Sequence, residues 1–354
     1  MINVLDDLIF SLKNDQRDID YSLIENSFLN ALDENVNEIK LASLLTTIAS
    51  IDLTPQLLNA CVNAVMQKRR SIEVAADLDV LDNCGTGGDR KSTLNISTMA
   101  AVVTASLIAE EKILENTIVI KFGNKAATSK SGSSTVLELM GLDILQDPDQ
   151  MLSIAEKTKF GYCHAPVYHP SLRHVANVRK NLPFGTIFNI IGPLCHPIEK
   201  ASRCIGVVEN SNASTMASVL SNNKSVKRAW VYSTTSNTCD VIPGDVVDLF
   251  EVVNGRIENK SINTNDFCDQ VRLDDIVAHN IDEAKEGFEQ TLSGKYGKSH
   301  PIVSTVALNT AFAVCSANGS YILPEVYKMA LNQLTSSKPI ELIGKCIEDS
   351  RKNG

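Results

Sequence analysis

The segment Asn83-Cys84-Gly85-Thr86-Gly87-Gly88-Asp89, followed by Thr93-Leu94-Asn95-Ile96-Ser97-Thr98, constrains the fold more than any other part of the chain. It stands between the apolar run Leu78–Leu81 and an apolar, Ala-rich run from Met99 to Ala109. That order predicts a strand, a Gly-rich loop and a helix. Three glycines let the backbone turn sharply and approach a ligand that any side chain would push away. Their N–H groups, with a helix N-terminus behind them, form a cradle for an anion. Asn95, Ser97 and Thr98 place short polar side chains at the same helix start, either as plain caps or as donors to a ligand. No Lys follows the last Gly as in a P-loop, and the Gly spacing differs from the dinucleotide fingerprint.

A second loop has a similar character. The apolar strand Val119–Gly123 runs into Lys121-Phe122-Gly123-Asn124-Lys125, and Ser129-Lys130-Ser131-Gly132-Ser133-Ser134 follows. Such a run reads alone as a solvated loop. Beside the first loop it supplies what a phosphorylated sugar needs: Lys as point charge, Ser and backbone N–H as oriented donors. Open α/β sheets bind ligands at the carboxyl ends of their strands.

The first seventy residues read as helices. Leu57, Leu58, Cys61, Val62, Val65 and Met66 recur at helical spacing behind a Thr54-Pro55 cap and first-turn proline. Ile24, Phe28, Ala31 and Leu32 form a similar stripe. From Asp77 onward, short β-branched runs at Thr117–Ile120, Cys204–Val208, Ala229–Tyr232 and Val246–Val253 alternate with helices. The pattern predicts an α/β protein with a central, mainly parallel sheet flanked by helices. With 354 residues, 44% apolar, the chain can bury a core large enough for two domains. A net charge of −9 argues against nucleic acid or an anionic membrane as partners, so an anionic ligand is drawn by local lysines. Nine scattered cysteines without a CxxC pair indicate reduced thiols and no zinc site. Acidic Asp6 and Asp7 stand where a signal peptide would be apolar, and no run is long enough to span a bilayer, so a cytoplasmic location is expected.

The two loops, together with Ala165-Pro166-Val167-Tyr168-His169-Pro170, Asn177-Val178-Arg179 and Thr186-Ile187-Phe188-Asn189-Ile190-Ile191-Gly192-Pro193-Leu194, resemble the anthranilate phosphoribosyltransferases of tryptophan biosynthesis, which share the nucleoside phosphorylase fold. The similarity keeps one register over nearly the whole chain. It implies a small all-helical domain (1–75, joined by helices from about 170–195) and a larger α/β domain (76–354), with the active site between them and a homodimer formed on the helical side. It implies a glycosyltransferase that joins the amine of anthranilate to carbon 1 of phosphoribosyl pyrophosphate and expels pyrophosphate, with Mg2+ as cofactor. Carried over by position, Gly85, Gly88, Asp89, Thr93, Asn95, Ser97, Thr98, Lys121, Gly123, Asn124, Lys125, Ser129 and Ser133 hold phosphoribosyl pyrophosphate. Gly85, Asn124, His169 and Arg179 border the anthranilate. Arg179 takes its carboxylate, a task suited to a planar, permanently charged guanidinium. Ser97 and Asp240 are the metal ligands, and no residue is assigned as a general acid or base.

The chain departs from the family pattern at several places. Phe122 stands for a His, Lys125 for an Arg, Arg90 for a Gly and Thr135 for an Asp, while Gly185 replaces a second Arg six residues after Arg179. Cys239-Asp240 falls on the Asp-Glu pair that binds magnesium, and a thiol is a poor ligand for that hard cation. Asp245 or Asp248 are the nearby carboxylates able to substitute. Two alternatives follow: a same-fold phosphoribosyltransferase with another acceptor, and a non-catalytic sugar-phosphate-binding homologue. A pyrimidine nucleoside phosphorylase is disfavoured, since no Lys-His-Ser precedes the glycines.

Overall fold

The computed structural model describes residues 4–14, 20–89, 91–125 and 132–352. Four amphipathic helices come first: α1 (Val4–Asn14), α2 (Tyr21–Ala31), α3 (Glu38–Ala49) and α4 (Pro55–Gln67). The Thr54 hydroxyl caps α4 by accepting from Leu57 N–H, with Pro55 in the first turn. Strand and helix then alternate through β1 (Asp79–Gly85), α5 (Ile96–Glu111), β2 (Thr117–Gly123), α6 (Ser133–Met140), α7 (Pro148–Thr158) and β3 (Phe160–His164). Short helices α8 (Ala165–Tyr168), α9 (Arg173–Asn181) and α10 (Ile187–Ile191) lead to β4 (Ser202–Gly206), α11 (Asn210–Asn222) and β5 (Arg228–Thr234). The hairpin β6 (Val246–Val253) and β7 (Arg256–Asn263) precedes α12 (Ile281–Leu292), α13 (Pro301–Ala317), α14 (Leu323–Leu334) and α15 (Lys338–Lys352).

The seven strands form one sheet in the order β3-β2-β1-β4-β5-β6-β7. The first five are parallel, and β6 and β7 extend the sheet antiparallel. Asn254 and Gly255 turn the hairpin with φ of 48° and 81°, the left-handed conformation that an Asn-Gly pair adopts most readily. Helices α5 and α13 pack on one face of the sheet. Almost every α5 residue from Ile96 to Ile108, and every α13 residue from Ile302 to Ser316, is buried. They are apolar all round because α14 and α15 cover the sides turned away from the strands. On the other face α11 packs on β5 and β6 and against α4. Helices α9 and α10 pack on α3 and α4, and their apolar residues join those of α1–α4, β4, β5 and α11 in one cluster.

Strand β3 was not foreseen, because Phe160-Gly161-Tyr162-Cys163-His164 holds no β-branched residue. It is fixed by pairing with β2 and by complete burial. Strand β4 starts two residues earlier than the apolar run Cys204–Val208 suggested, since Ser202 pairs with Leu81 and Arg203 with Asp82. No helix among the described residues is long and apolar enough to cross a membrane.

Candidate active site

Chain order reverses about β1: β2 lies on one side of it and β4 on the other. Such a switch point opens a crevice at the carboxyl ends of the strands. A cleft of about 330 Å³ lies there. Gly85, Gly88, Asp89, Thr93, Asn95, Ser97, Thr98, Lys121, Gly123, Asn124, Lys125, Ser133, His169, Arg179 and Asp240 all line it. Ser129, together with Lys130, Ser131 and Arg90, lies outside the described residues.

One end of the cleft is built for anions. Strand β1 ends at Gly85, where an added Cβ would come 2.6 Å from Cys239 Cβ, so the turn after β5 packs on bare backbone. Gly87 and Gly88 turn the loop with φ of 65° and 83°. Its returning arm is pinned: Leu94 N–H donates to Ile276 O at 2.9 Å, and Ala278 N–H to Ser92 O at 3.0 Å. Helix α5 then starts with its N-terminus towards the cleft, bringing Ser97 and Thr98 to the wall. The Thr98 hydroxyl is buried and has no protein partner. Lys121 is only 2% exposed. Its Nζ donates to Asn83 O at 2.7 Å and to Ser97 Oγ at 3.3 Å, and an ammonium has a third proton to give. Lys125 reaches the cleft too, though its ammonium pairs with Glu138 at 3.0 Å.

Asp240 sits at the same helix start, accepting from the Thr93 side chain and the Ser97 N–H. Burial pushes its carboxyl up to about 7, neighbouring Asp89 adds to the rise, and Lys121 opposes it. Cys239 is buried, its Sγ 3.4 Å from Thr86 Oγ1 and 3.8 Å from Gly87 O. Burial pushes the thiol up to about 12, so it stays protonated. Asp245 and Asp248 do not replace it. Asp245 accepts from Thr235, Ser236 and Ile242, Asp248 accepts from Asn210, and neither lines the cleft. Among the described residues no group of three or more His, Cys, Asp or Glu side chains is placed to hold a metal ion.

The other end is aromatic. The Arg179 guanidinium lies over the Phe188 ring, 5.2 Å from its centroid, and forms no ion pair among the described residues. Phe188 in turn touches Phe28 of α2 at 5.9 Å. Asn189, Ile191 and Pro193 complete this wall. Phe188 gave no signal of its own beyond its place within the Thr186–Leu194 motif, because an apolar ring under a guanidinium is indistinguishable from core in sequence. Gly185 is exposed and does not line the cleft. Phe122 packs edge-on against both His169 and His196, at 5.5 and 5.9 Å.

His169 is fully buried, and its Nε2–H donates to Cys195 O at 2.7 Å. Burial lowers its pKa to about 4, so at neutral pH the ring is uncharged and its proton is committed. A depressed folded-state value stabilises the fold above the unfolded pKa of about 6.5, and that stabilisation is lost as the pH falls towards 4. His169 is therefore expected to contribute a loss on the order of 3 kcal/mol between pH 7 and 4. Denaturant unfolding across that range should show a shallower decline for His169→Gln than for the unaltered protein. Equal slopes would assign the loss to other groups.

Comparison with known proteins agrees with this geometry. A family model described as "Glycosyl transferase family, a/b domain" matches residues 77–339. The anthranilate phosphoribosyltransferase of Caldicellulosiruptor saccharolyticus is 31% identical, over 84% of this chain and 85% of its own length. That of Helicobacter pylori is 32% identical, over 90% and 97%. The crystal structure of the Thermus thermophilus enzyme superposes with a TM-score of 0.85 at 25% identity, covering 99% of this chain and all of that one. The Saccharomyces cerevisiae enzyme, solved in complex with PRPP and Mg, has the same fold (TM-score 0.88, 22% identity, 99% of each chain). Sequence motifs, sheet order, cleft and relatives converge, and the chain belongs to the anthranilate phosphoribosyltransferase family.

Proposed function

We propose that this protein transfers the phosphoribosyl group of phosphoribosyl pyrophosphate to the amine of anthranilate and releases pyrophosphate. The observation that carries this reading is a single cleft with a buried Lys121 and a helix N-terminus on one wall and, on another, Arg179 over the Phe188 ring with no ion pair among the described residues. The first wall suits phosphates and the second a flat carboxylate-bearing ring. Arg179 holds the acceptor carboxylate, while Gly85 and Asn124 border its ring. Loop Gly85–Asp89, Ser97, Thr98 and Ser133 hold the phosphates. Lys121 neutralises charge on the departing pyrophosphate as the amine attacks carbon 1. The neutral, hydrogen-bonded His169 shapes the wall and moves no proton.

Magnesium fits this site through oxygen donors. Asp240 and the Ser97 hydroxyl would hold one ion, a cation that favours oxygen ligands and needs few from the protein. The ion would offset pyrophosphate charge. The protonated Cys239 thiol adds no ligand and leaves one carboxylate where the family pattern has two.

Loss of anthranilate fluorescence, coupled to pyrophosphate release, tests the activity directly. Turnover is expected to be weak and magnesium-dependent, and Cys239→Asp with Asp240→Glu is expected to raise it and tighten the dependence. Turnover that falls on this change would mean that the turn after β5 does not carry the ion. A protein that binds the sugar phosphate without turnover, repaired or not, would be a non-catalytic homologue, the reading that Cys239 favours.

The homodimer implied by the resemblance is consistent with Phe10 of α1 and Ile39 of α3, which are 71% and 82% exposed on helices that pack together. Ile39→Asp should shift the mass in solution towards the monomer, measured by light scattering. An unchanged mass would place any interface elsewhere.

A further inference from the structure

Side chains alternate along a strand, so Tyr162 and His164 share one face of β3 while Cys163 takes the other. Their register partners on β2 are Lys121 and Gly123, both lining the cleft. Helix α6 begins over this face with Ser133 and Ser134. Four polar groups then run from the cleft into the core. Ser133 Oγ lies 2.9 Å from Tyr162 Oη, Tyr162 Oη 2.7 Å from Ser134 Oγ, and Ser134 Oγ 2.9 Å from His164 Nδ1. Tyr162, Ser134 and His164 are buried, whereas Ser133 lines the cleft. A side chain at Gly123 would fall on Ser133 Oγ and within 2.6 Å of Tyr162 Oη, so the chain of bonds passes over bare backbone.

Proton count fixes the direction of these bonds. Each hydroxyl has one proton and can donate once. Ser133 donates to Asn124 O at 3.3 Å. It must then accept from Tyr162, which must accept from Ser134, which must accept from His164 Nδ1–H. Only this direction lets all four bonds coexist. With an anion in the cleft, the Ser133 proton swings from the Asn124 carbonyl to the anion while Tyr162 holds the oxygen in place. Were Nδ1 an acceptor, the chain would reverse, Ser133 would donate to Tyr162, and the anion would meet lone pairs.

We propose that His164 is a positioning residue which, through Ser134 and Tyr162, holds the Ser133 hydroxyl as a donor to the phosphates of the sugar substrate; this rests on the reading of the cleft as a phosphoribosyl pyrophosphate site. Burial lowers the His164 pKa, with Glu138 opposing and Lys125 reinforcing, so the ring is neutral and its tautomer sets the direction. Burial also keeps the Tyr162 hydroxyl protonated.

Calorimetric titration with phosphoribosyl pyrophosphate, with melting curves to confirm folding, tests the relay. Ser133→Ala, Tyr162→Phe and His164→Phe are each expected to weaken binding about 3- to 10-fold. His164→Asn, whose amide N–H occupies the place of Nδ1–H, should recover most of the loss seen with His164→Phe. Ser133→Ala combined with Tyr162→Phe should bind no more weakly than Ser133→Ala alone, since both break one path. Should His164→Phe fail to fold, the near-isosteric Tyr162→Phe carries the test. Additive losses, or a Tyr162→Phe protein that binds normally while Ser133→Ala is weakened, would overturn the relay. Unchanged binding by Ser133→Ala sinks it as well. In that case a weakened Lys121→Ala leaves the cleft assignment standing, and an unchanged one removes that too.

Discussion

Lys121→Ala is expected to weaken phosphoribosyl pyrophosphate binding by about 1.5–3 kcal/mol, the range for a hydrogen bond to a charged group. That corresponds to roughly 10- to 150-fold in the dissociation constant. The ammonium is almost fully buried, and its bonds to Asn83 O and Ser97 Oγ tie the end of β1 to the start of α5. Removing it takes a positive charge away from phosphates and leaves the Asn83 carbonyl without its donor. It also strips Asp240 of the cation that opposes the rise in its pKa. Lys121→Met, which keeps the bulk, separates charge from packing: both variants should lose affinity, with Lys121→Met the more stable protein. Calorimetry showing unchanged affinity in both would remove Lys121 from the site.

Arg179→Ala should raise the Michaelis constant for anthranilate by about 10- to 100-fold, from the loss of a charge-assisted pair with the carboxylate. The constant for the sugar phosphate should change far less, because Arg179 lies by Phe188 and not among the β1 end and α5 start that Lys121 joins. The guanidinium lies over the Phe188 ring, and Arg179→Lys should recover little, because an ammonium cannot make the forked pair with a carboxylate. Steady-state kinetics with each substrate varied in turn gives the comparison. Equal constants for anthranilate in the variant and the unaltered protein would place the acceptor elsewhere or make it another molecule.

That the glycine-loop residues would share one cleft wall was legible in the sequence because their signals are local. Gly85, Gly87, Gly88 and the Ser97-Thr98 pair stand within one strand–loop–helix unit, and the backbone geometry they require follows from residue type alone. Lys121 at the end of an apolar strand is a similar case. Arg179 was placed in the cleft only through resemblance: an Arg on a short helix beside Arg173 and Lys180 looks like any surface charge until Phe188 is seen beneath it. Contacts made by tertiary approach left no local trace. Cys239 against Gly85, and Phe122 between His169 and His196, join residues far apart in the chain. Strand β3 was hidden for a different reason, since it holds no β-branched residue and is fixed by pairing with β2 and by burial.

Phe28 does not line the cleft, yet it is the far support of the group proposed to meet the acceptor: Phe28 bears on Phe188, and Phe188 bears on Arg179. A smaller side chain at Phe28 would leave a cavity in the bundle and remove the ring that backs Phe188. If Arg179 holds the acceptor as proposed, selection for substrate affinity reaches into the hydrophobic interior of α2 through a residue that would be classed as ordinary core.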